Sequence, residues 1–482
     1  MNAQSNKTNR QDTLVAATAK VRPESPPAPF ILVPQHFGCT VFDRSTSRYL
    51  PFDLEATALL KQLTVEPIEV VMANEQNLVR QRQLALFFEH FYRLGFFSID
   101  GRFLGNELEV AIPINHLVGP LAVHLEVVSA CNLKSTHCFA GELPRGEQAL
   151  SLCELDDLFG CLASMGSFRV GLTGGEPLLR RDIFDIVDLA SSHGLHPCIT
   201  TNALLITEEI AKEFGKRTLA WLNVSLEGAT RETNDLIRGE GTFDRVIDRL
   251  SVLSKHTRFT LAFTIMRTNL HEIRQCADLA YKVGAHTAVF RPLYPVGIAR
   301  QHLDLMPSYA DYNRALNELE NLQMDNGFEM CVVDPFSPKT RMEAQPTTYD
   351  NHGCGAGNVV CSISVSGDVN PCSFLGPVYN AANIREEPFC DIWHQSEGFQ
   401  KIRNLPVSGG CEGCESNNFQ GGCRARALAL NGSINAPDHW ISDREKLNQN
   451  RTNQLSAASI HYPFSTLEIE GSLTGGIGSK RI

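Results

Sequence analysis

Between residues 121 and 293, apolar runs alternate with segments whose apolar residues recur at helical spacing. LAVHLEVV, RVGLTG, PCITTN, WLNVSLEG, FTLAFTI and HTAVFRPL read as buried strands. ELDDLFGCLASM and FDRVIDRLSVLS read as amphipathic helices between them. Six strands alternating with helices predict an α/β fold whose parallel sheet rolls into a complete or partial barrel. In such barrels the chemistry collects at the C-terminal ends of the strands. Residues 29–115 follow a different rhythm. FILVPQ and CTVFDR predict strands, RSTSRYLPF a turn and a further strand. DLEATALLKQL predicts a helix with Asp53 near its start, and RQRQLALFFEHFYRLGFF a second helix ending at Gly95. This pattern suggests a small winged-helix-like domain.

The flanks complete the expected organisation. Residues 1–28 are polar and then Pro-rich, too poor in apolar surface to order themselves, and are expected to be a flexible arm. The barrel is expected over 116–300, a helical connection over 301–350 and a cysteine-rich region over 351–443. The stretch 444–482 is a polar tail to which no role is assigned.

Composition narrows the function classes. The chain has 482 residues, 43% of them hydrophobic and 20% charged, enough for at least one large core. A net charge of -11 argues against nucleic acid as partner. No apolar run is long enough to span a membrane, and the N-terminus has no apolar signal segment, so a cytoplasmic location is expected. Fifteen cysteines are many for that compartment, where clustered thiols point to metal or redox chemistry rather than disulfides. Cys39, Cys153, Cys161, Cys198, Cys276 and Cys331 are scattered and read as small buried hydrophobes.

The loop VSACNLKSTHCFAGE follows the first barrel strand and holds Cys131, Ser135 and Cys138 in the spacing Cys131-x3-Ser135-x2-Cys138, with Phe139 next. Thiolates are the soft ligands that hold iron–sulfur clusters. LTGGEPLLRRD follows the second strand. Thr201-Asn202 ends the third, Ser225 the fourth, and Arg238 comes later in NDLIRGEGTF. The set resembles the radical S-adenosylmethionine (SAM) family, whose loop reads Cys-x3-Cys-x2-Cys followed by an aromatic. The resemblance implies a partial (β/α)6 radical SAM barrel. It also implies a [4Fe–4S] cluster held by Cys131 and Cys138, with Ser135 in the place of the middle thiol, and a 5′-deoxyadenosyl radical made from SAM. Phe139, Gly174, Gly175, Glu176, Asn202, Ser225 and Arg238 are then expected around SAM, the glycines and Glu176 at its amino group, Ser225 and Arg238 at its carboxylate and ribose.

Further on, Cys354, Cys361 and Cys372 precede Cys411-x2-Cys414 and Cys423. Alone, Cys411 and Cys414 would suit zinc. NHGCGAGNVVCSISVSGDVNPCSF and GGCRARALALNG together resemble the SPASM extension, a C-terminal cysteine-rich domain of radical SAM enzymes that act on peptides. The resemblance implies a first auxiliary cluster on Cys354, Cys361, Cys372 and Cys423. A second would use Cys411 and Cys414, but Phe419, Gln420 and Ile441 stand where its other two thiols belong. Cys390 matches neither set and reads as structural.

FGCTVFDRSTSRYLPFDLEATALLKQL resembles the peptide-recognition domain of peptide maturases, which takes up a leader peptide as an added strand. The expected contacts are an edge near 40–43 and the helix 55–63. The layout resembles radical SAM maturases of ribosomally made peptides, and VFDRSTSRYLPFDLEAT in particular the spliceases. It implies a precursor peptide as substrate and a reductant protein such as flavodoxin or ferredoxin. The missing thiols keep a second reading open, a non-catalytic homologue or partner subunit that binds leader peptide.

Overall fold

The computed structural model describes residues 27–141, 148–322, 328–332, 354–405 and 422–440. The expected tail, nearly all of the arm, and Cys411, Cys414, Phe419, Gln420 and Ile441 lie outside them.

The front unit is built from β1 (Phe30–Gln35), β2 (Gly38–Asp43), β3 (Arg48–Asp53), α1 (Leu54–Leu63), α2 (Ile68–Asn74), α3 (Leu78–Arg93) and β4 (Gly105–Glu107). Asp53 starts α1 as a cap, its carboxylate accepting the Ala56 N–H at 2.8 Å. Asn77 caps α3 in the same way. Apolar faces of the sheet and of α1 and α3 close over Phe30, Phe52, Phe87, Phe91 and Phe96. The strand order is β3-β2-β1-β4. The expected edge at 40–43 is therefore wrong: β2 is paired with β1 on one side and β3 on the other, so its backbone groups are taken. The edge strands are β4, of three residues, and the longer β3, whose Pro51 has no N–H and is tolerated where a strand lacks an outer neighbour. The short strand β4 and helix α2 escaped the sequence pattern.

The barrel follows with β5 (Ala122–Val128), α4 (Leu152–Ser164), β6 (Arg169–Gly174), α5 (Ile183–Ser192), β7 (His196–Thr201), α6 (Glu208–Gly215) and β8 (Trp221–Ser225). It continues with α7 (Arg231–Arg238), α8 (Thr242–Leu253), β9 (Thr260–Ile265), α9 (Ile273–Lys282) and β10 (Thr287–Pro292). The six strands pair in parallel and in chain order. Their outward residues, among them Val123, Leu172, Ile199, Val224, Leu261 and Phe290, pack under the helices in one continuous core.

The stretch expected as a helical connection holds α10 (Tyr309–Glu320) and also a strand, β11 (Glu329–Val332), which extends the sheet beyond β10. On the other flank β12 (Val360–Ile363) pairs in parallel with β5, and β13 (Asp368–Asn370) and β14 (Ala382–Asn383) continue antiparallel. The cysteine-rich region thus grows directly from the barrel sheet, and α11 (Phe389–Gln395), α12 (Glu397–Arg403) and α13 (Arg424–Asn431) follow. Strands β11 and β14 end the ten-stranded sheet without pairing to each other, so the barrel is partial.

The hairpin between β2 and β3 meets the N-terminal ends of β6 and β7. The Tyr49 hydroxyl donates to the Gly166 carbonyl at 2.8 Å and accepts the Phe168 N–H at 2.6 Å, and Ser47 Oγ lies 2.7 Å from His196 Nδ1. The front unit therefore sits at the end of the barrel opposite the cysteine loop. Among the described residues no helix is long and apolar enough to cross a membrane.

Candidate active site

The loop after β5 lies over the C-terminal mouth of the barrel, held from three directions. The Thr136 N–H donates to the Ile237 carbonyl at 3.0 Å, the Ile298 N–H to the Cys138 carbonyl at 2.9 Å, and the Asn202 amide to Asn132 Oδ1 at 2.7 Å. So held, Cys131, Ser135 and Cys138 line one wall of a cavity of about 220 Å³. Cys131 is exposed and Ser135 buried. Burial pushes the Cys138 thiol up, Cys131 adds to the rise, and Arg238 opposes it, so the two thiols and the guanidinium share one field.

Gly174, Gly175 and Glu176, beside the root of that loop, also line the cavity. A Cβ on Gly174, whose φ is +123°, would meet the Val128 carbonyl oxygen at 2.2 Å, and one on Gly175 the Ala130 oxygen at 2.0 Å. Both positions need glycine because the end of β6 presses against the root of the cysteine loop. Glu176 is 1% exposed. Its carboxylate accepts the Thr201 hydroxyl at 2.6 Å, the Asn202 N–H at 2.8 Å and the Leu178 N–H at 3.1 Å. Glu176 lines the cavity, so its carboxylate stands at the place expected for the SAM amino group and is held there by these three donors. The carboxylate locks β6 to β7, and Asn202, expected at SAM, spends its side chain on Asn132 and the Leu204 N–H.

Ser225 and Arg238 line the cavity as expected, and Phe139 does so too, packed edge-on against Phe374 of the cysteine-rich region. Sequence reasoning missed Glu227, which is 1% exposed and lies 2.9 Å from Arg238 Nη2 and 3.0 Å from His137 Nε2. Burial alone would raise its carboxyl. His137 and Arg238 outweigh that and, with the Thr264 N–H, hold it down at about 2. Nε of Arg238 and Nδ1 of His137 are buried without a partner, so hydrogen-bond capacity is left for a polar ligand. The signal available was an acid two residues after the fourth strand and a histidine inside the cysteine loop.

In the cysteine-rich region Cys354, Cys361 and Cys423 all bear electrostatically on Cys372, so the four expected thiols lie in one neighbourhood. Burial is the main force on each shifted thiol; it pushes Cys423 up to about 12 and raises Cys361 and Cys372 further. Among the described residues no three Cys, His, Asp or Glu side chains close on one point tightly enough for a single ion. Four soft donors, Cys361 buried and the others partly so, are the ligand type a cubane takes, each iron binding one thiolate. Cys423 is fixed by Asp438, which accepts its N–H at 2.8 Å and pairs with fully buried Arg426, also at 2.8 Å. Of the scattered cysteines, Cys39 and Cys276 are buried. Cys161, Cys198 and Cys331 are partly so, and Cys153 is exposed, contrary to expectation, because it lies on the outer face of α4. Cys390 packs beside Cys161.

A partial parallel barrel with a thiol-bearing loop over its mouth, followed by a second thiol set on the same sheet, defines an iron–sulfur barrel enzyme. The radical SAM superfamily matches residues 125–280, and the SPASM iron–sulfur cluster-binding domain matches 354–415. The AdoMet-dependent heme synthase of Methanosarcina barkeri is 33% identical, over 65% of this chain and 93% of its own. Mycofactocin maturase MftC of Mycolicibacterium smegmatis is 30% identical, over 67% and 82%. The crystal structure of Streptococcus suis SuiB bound to precursor peptide SuiA shares the fold with a TM-score of 0.64 at 16% identity, over 86% of this chain and 98% of that one. The chain belongs to the radical SAM superfamily and carries its SPASM extension, and [4Fe–4S] clusters and SAM are its cofactors.

Proposed function

We propose that this enzyme takes a hydrogen atom from a ribosomally made precursor peptide. The observation that carries the reading is a cavity lined together by Cys131, Ser135, Cys138, Gly174, Ser225 and Arg238. When bound, cluster and SAM together supply a 5′-deoxyadenosyl radical. Cys131, Cys138 and the Ser135 hydroxyl hold the cluster, and the backbone at Gly174 and Gly175, with the Glu176 carboxylate, receives the SAM amino group. Ser225 and Arg238 take the SAM carboxylate, with Glu227 and His137 keeping the Arg238 guanidinium in place. Cys354, Cys361, Cys372 and Cys423 hold an auxiliary cluster, and Cys411 and Cys414 belong to a second with an incomplete ligand set.

The front unit supports the peptide reading. Its open strand β3 suits a leader peptide added as a strand, and SuiB, solved with its precursor peptide, shares the fold over 86% of this chain. The electron comes from a small reductant protein, flavodoxin or ferredoxin, in a reducing cytoplasm that keeps the thiols free to bind iron. The test is anaerobic reconstitution with iron and sulfide, followed by assay of 5′-deoxyadenosine from SAM under dithionite. We expect turnover by the chain as it stands. A serine oxygen is a harder, more weakly acidic donor than a thiol, so Ser135→Cys is expected to raise both iron content and turnover, and Cys131→Ala to abolish turnover. Ser135 itself favours one other reading, a non-catalytic leader-binding homologue. Turnover by the Ser135→Cys variant alone would establish it.

A further inference from the structure

Below the SAM cavity, the inward face of the barrel is unusually polar. Parallel barrels usually fill this layer with Val, Ile and Leu. Here it carries His124 from β5, Arg169 from β6, Cys198 from β7, Asn223 from β8 and Arg291 from β10. His124 is exposed to solvent within the barrel, with its Nδ1 2.9 Å from Ser373 Oγ. Burial, then the charges of Arg291 and Arg169, push the His124 imidazole down to about 4.

Arg291 stands out in this layer. It lies at the carboxyl end of β10, opposite Thr264 of β9, and lines the same cavity as the cysteine loop. Its Nε is buried without a partner. Arg426 pairs with Asp438, Arg238 with Glu227, and Arg169 donates to the Leu121 carbonyl and lies over the Tyr49 and Trp221 rings. Glu227, the carboxylate that bears on Arg291, is occupied by Arg238, His137 and the Thr264 N–H. Glu126, on the lumen side of β5, has interactions of its own. A partly buried guanidinium whose Nε has no partner and whose nearby acid is already shared is costly to keep. A carboxylate would repay that cost through a bidentate, charge-assisted pair. SAM's own carboxylate is met by Ser225 and Arg238, on β8 and the end of α7. Arg291 projects from the sixth strand, beyond the four that carry the cysteine loop, the Gly174–Glu176 turn, Asn202 and Ser225.

We propose that Arg291 binds a carboxylate of the substrate and so fixes which hydrogen faces the radical. Taking the substrate as a peptide rests on the reading above; the acid is then a C-terminal carboxylate or an Asp or Glu side chain entering the lumen beside SAM. The probes are fluorescently labelled tripeptides ending in a free carboxylate, in a C-terminal amide, or in an amide with an internal Glu, together with a porphyrin dicarboxylate. Each is titrated into the reconstituted full chain with SAM present. The acid-bearing tripeptides are expected to bind roughly tenfold to a hundredfold tighter than the plain amide. Arg291→Gln removes that preference and Arg291→Lys keeps part of it.

Which acid-bearing tripeptide shows the preference tells the C-terminal source from the side-chain source. Equal affinity for acid and amide overturns the proposal while leaving the peptide reading intact, as does a preference that survives in Arg291→Gln. An Arg291-dependent affinity for the porphyrin alone keeps the carboxylate site and overturns the peptide. Failure of every acid to bind overturns the proposal, and a fall in SAM affinity as large as the fall for tripeptides would assign Arg291 to SAM instead.

Discussion

At Glu227 one carboxylate meets two basic side chains and a backbone N–H in a setting that excludes water. Its partners point into the cavity, so its contribution reaches both stability and ligand geometry. Glu227→Gln keeps an oxygen for the Thr264 N–H but leaves the Arg238 guanidinium without its counter-charge. Breaking a buried pair in this way costs roughly 3–5 kcal/mol. Urea unfolding should register a loss of that order, and equilibrium binding should register weaker SAM affinity, because Arg238 is no longer held. Unchanged SAM affinity with lowered stability would make Glu227 a purely structural acid. Glu176, also 1% exposed, differs in kind: all its bonds are to neutral donors within the β6–β7 junction, and burial keeps its carboxyl raised.

Helix α4 shows how an element is fixed at its first turn and how that turn reaches the cysteine-rich region. Ser151 and Glu154 form a reciprocal cap, and Glu154 also meets Arg385, which donates to the carbonyls of Ser366 and Gln148. Arg385 first, and then Ser151, hold the Glu154 carboxyl down at about 2. A depressed folded value means that the contribution is fully present above the ordinary carboxylate range and fades as pH falls from about 4.5 towards 2. Glu154→Gln should therefore lower stability at neutral pH and leave it little changed near pH 2, which flattens the acid limb of the profile over that window. The loss is modest, since the pair is partly solvated; pH-dependent urea unfolding of both chains checks it.

The same helix shows what was legible beforehand. Its 3.6-residue rhythm is local, and so are the six barrel strands and the Gly174–Glu176 turn. What stayed hidden depends on distant pairing. Strand β4 has three residues and is a strand only because β1 lies beside it. The edge of the front sheet could not be read from β2 alone, since whether a strand is central is decided by its neighbours. The Glu227–His137 contact joins two loops that only the barrel brings together.

For the whole molecule, the consequential fact is that β3 has two faces to its work. It offers an open edge of the front sheet, and through Tyr49 it anchors that sheet to the N-terminal ends of the barrel strands. A strand added at β3 would thus be laid beside the residue that couples front unit to barrel. Tyr49 continues inward to Arg169, which in turn lies over Trp221 at the base of the lumen. Removal of the hydroxyl tests the coupling without disturbing the ring stack. Tyr49→Phe leaves the Gly166 carbonyl and the Phe168 N–H without their partner, at a cost of roughly 1–3 kcal/mol. Because the cost falls on the junction, the segment 108–121 between the two sheets should become more open to protease. Iron content, set by thiols at the far end of the barrel, should hold. Limited proteolysis beside iron quantification separates the outcomes: faster cleavage with full iron places the docking energy at this hydroxyl, and unchanged cleavage places it on the apolar packing around Phe42 and Phe168 instead.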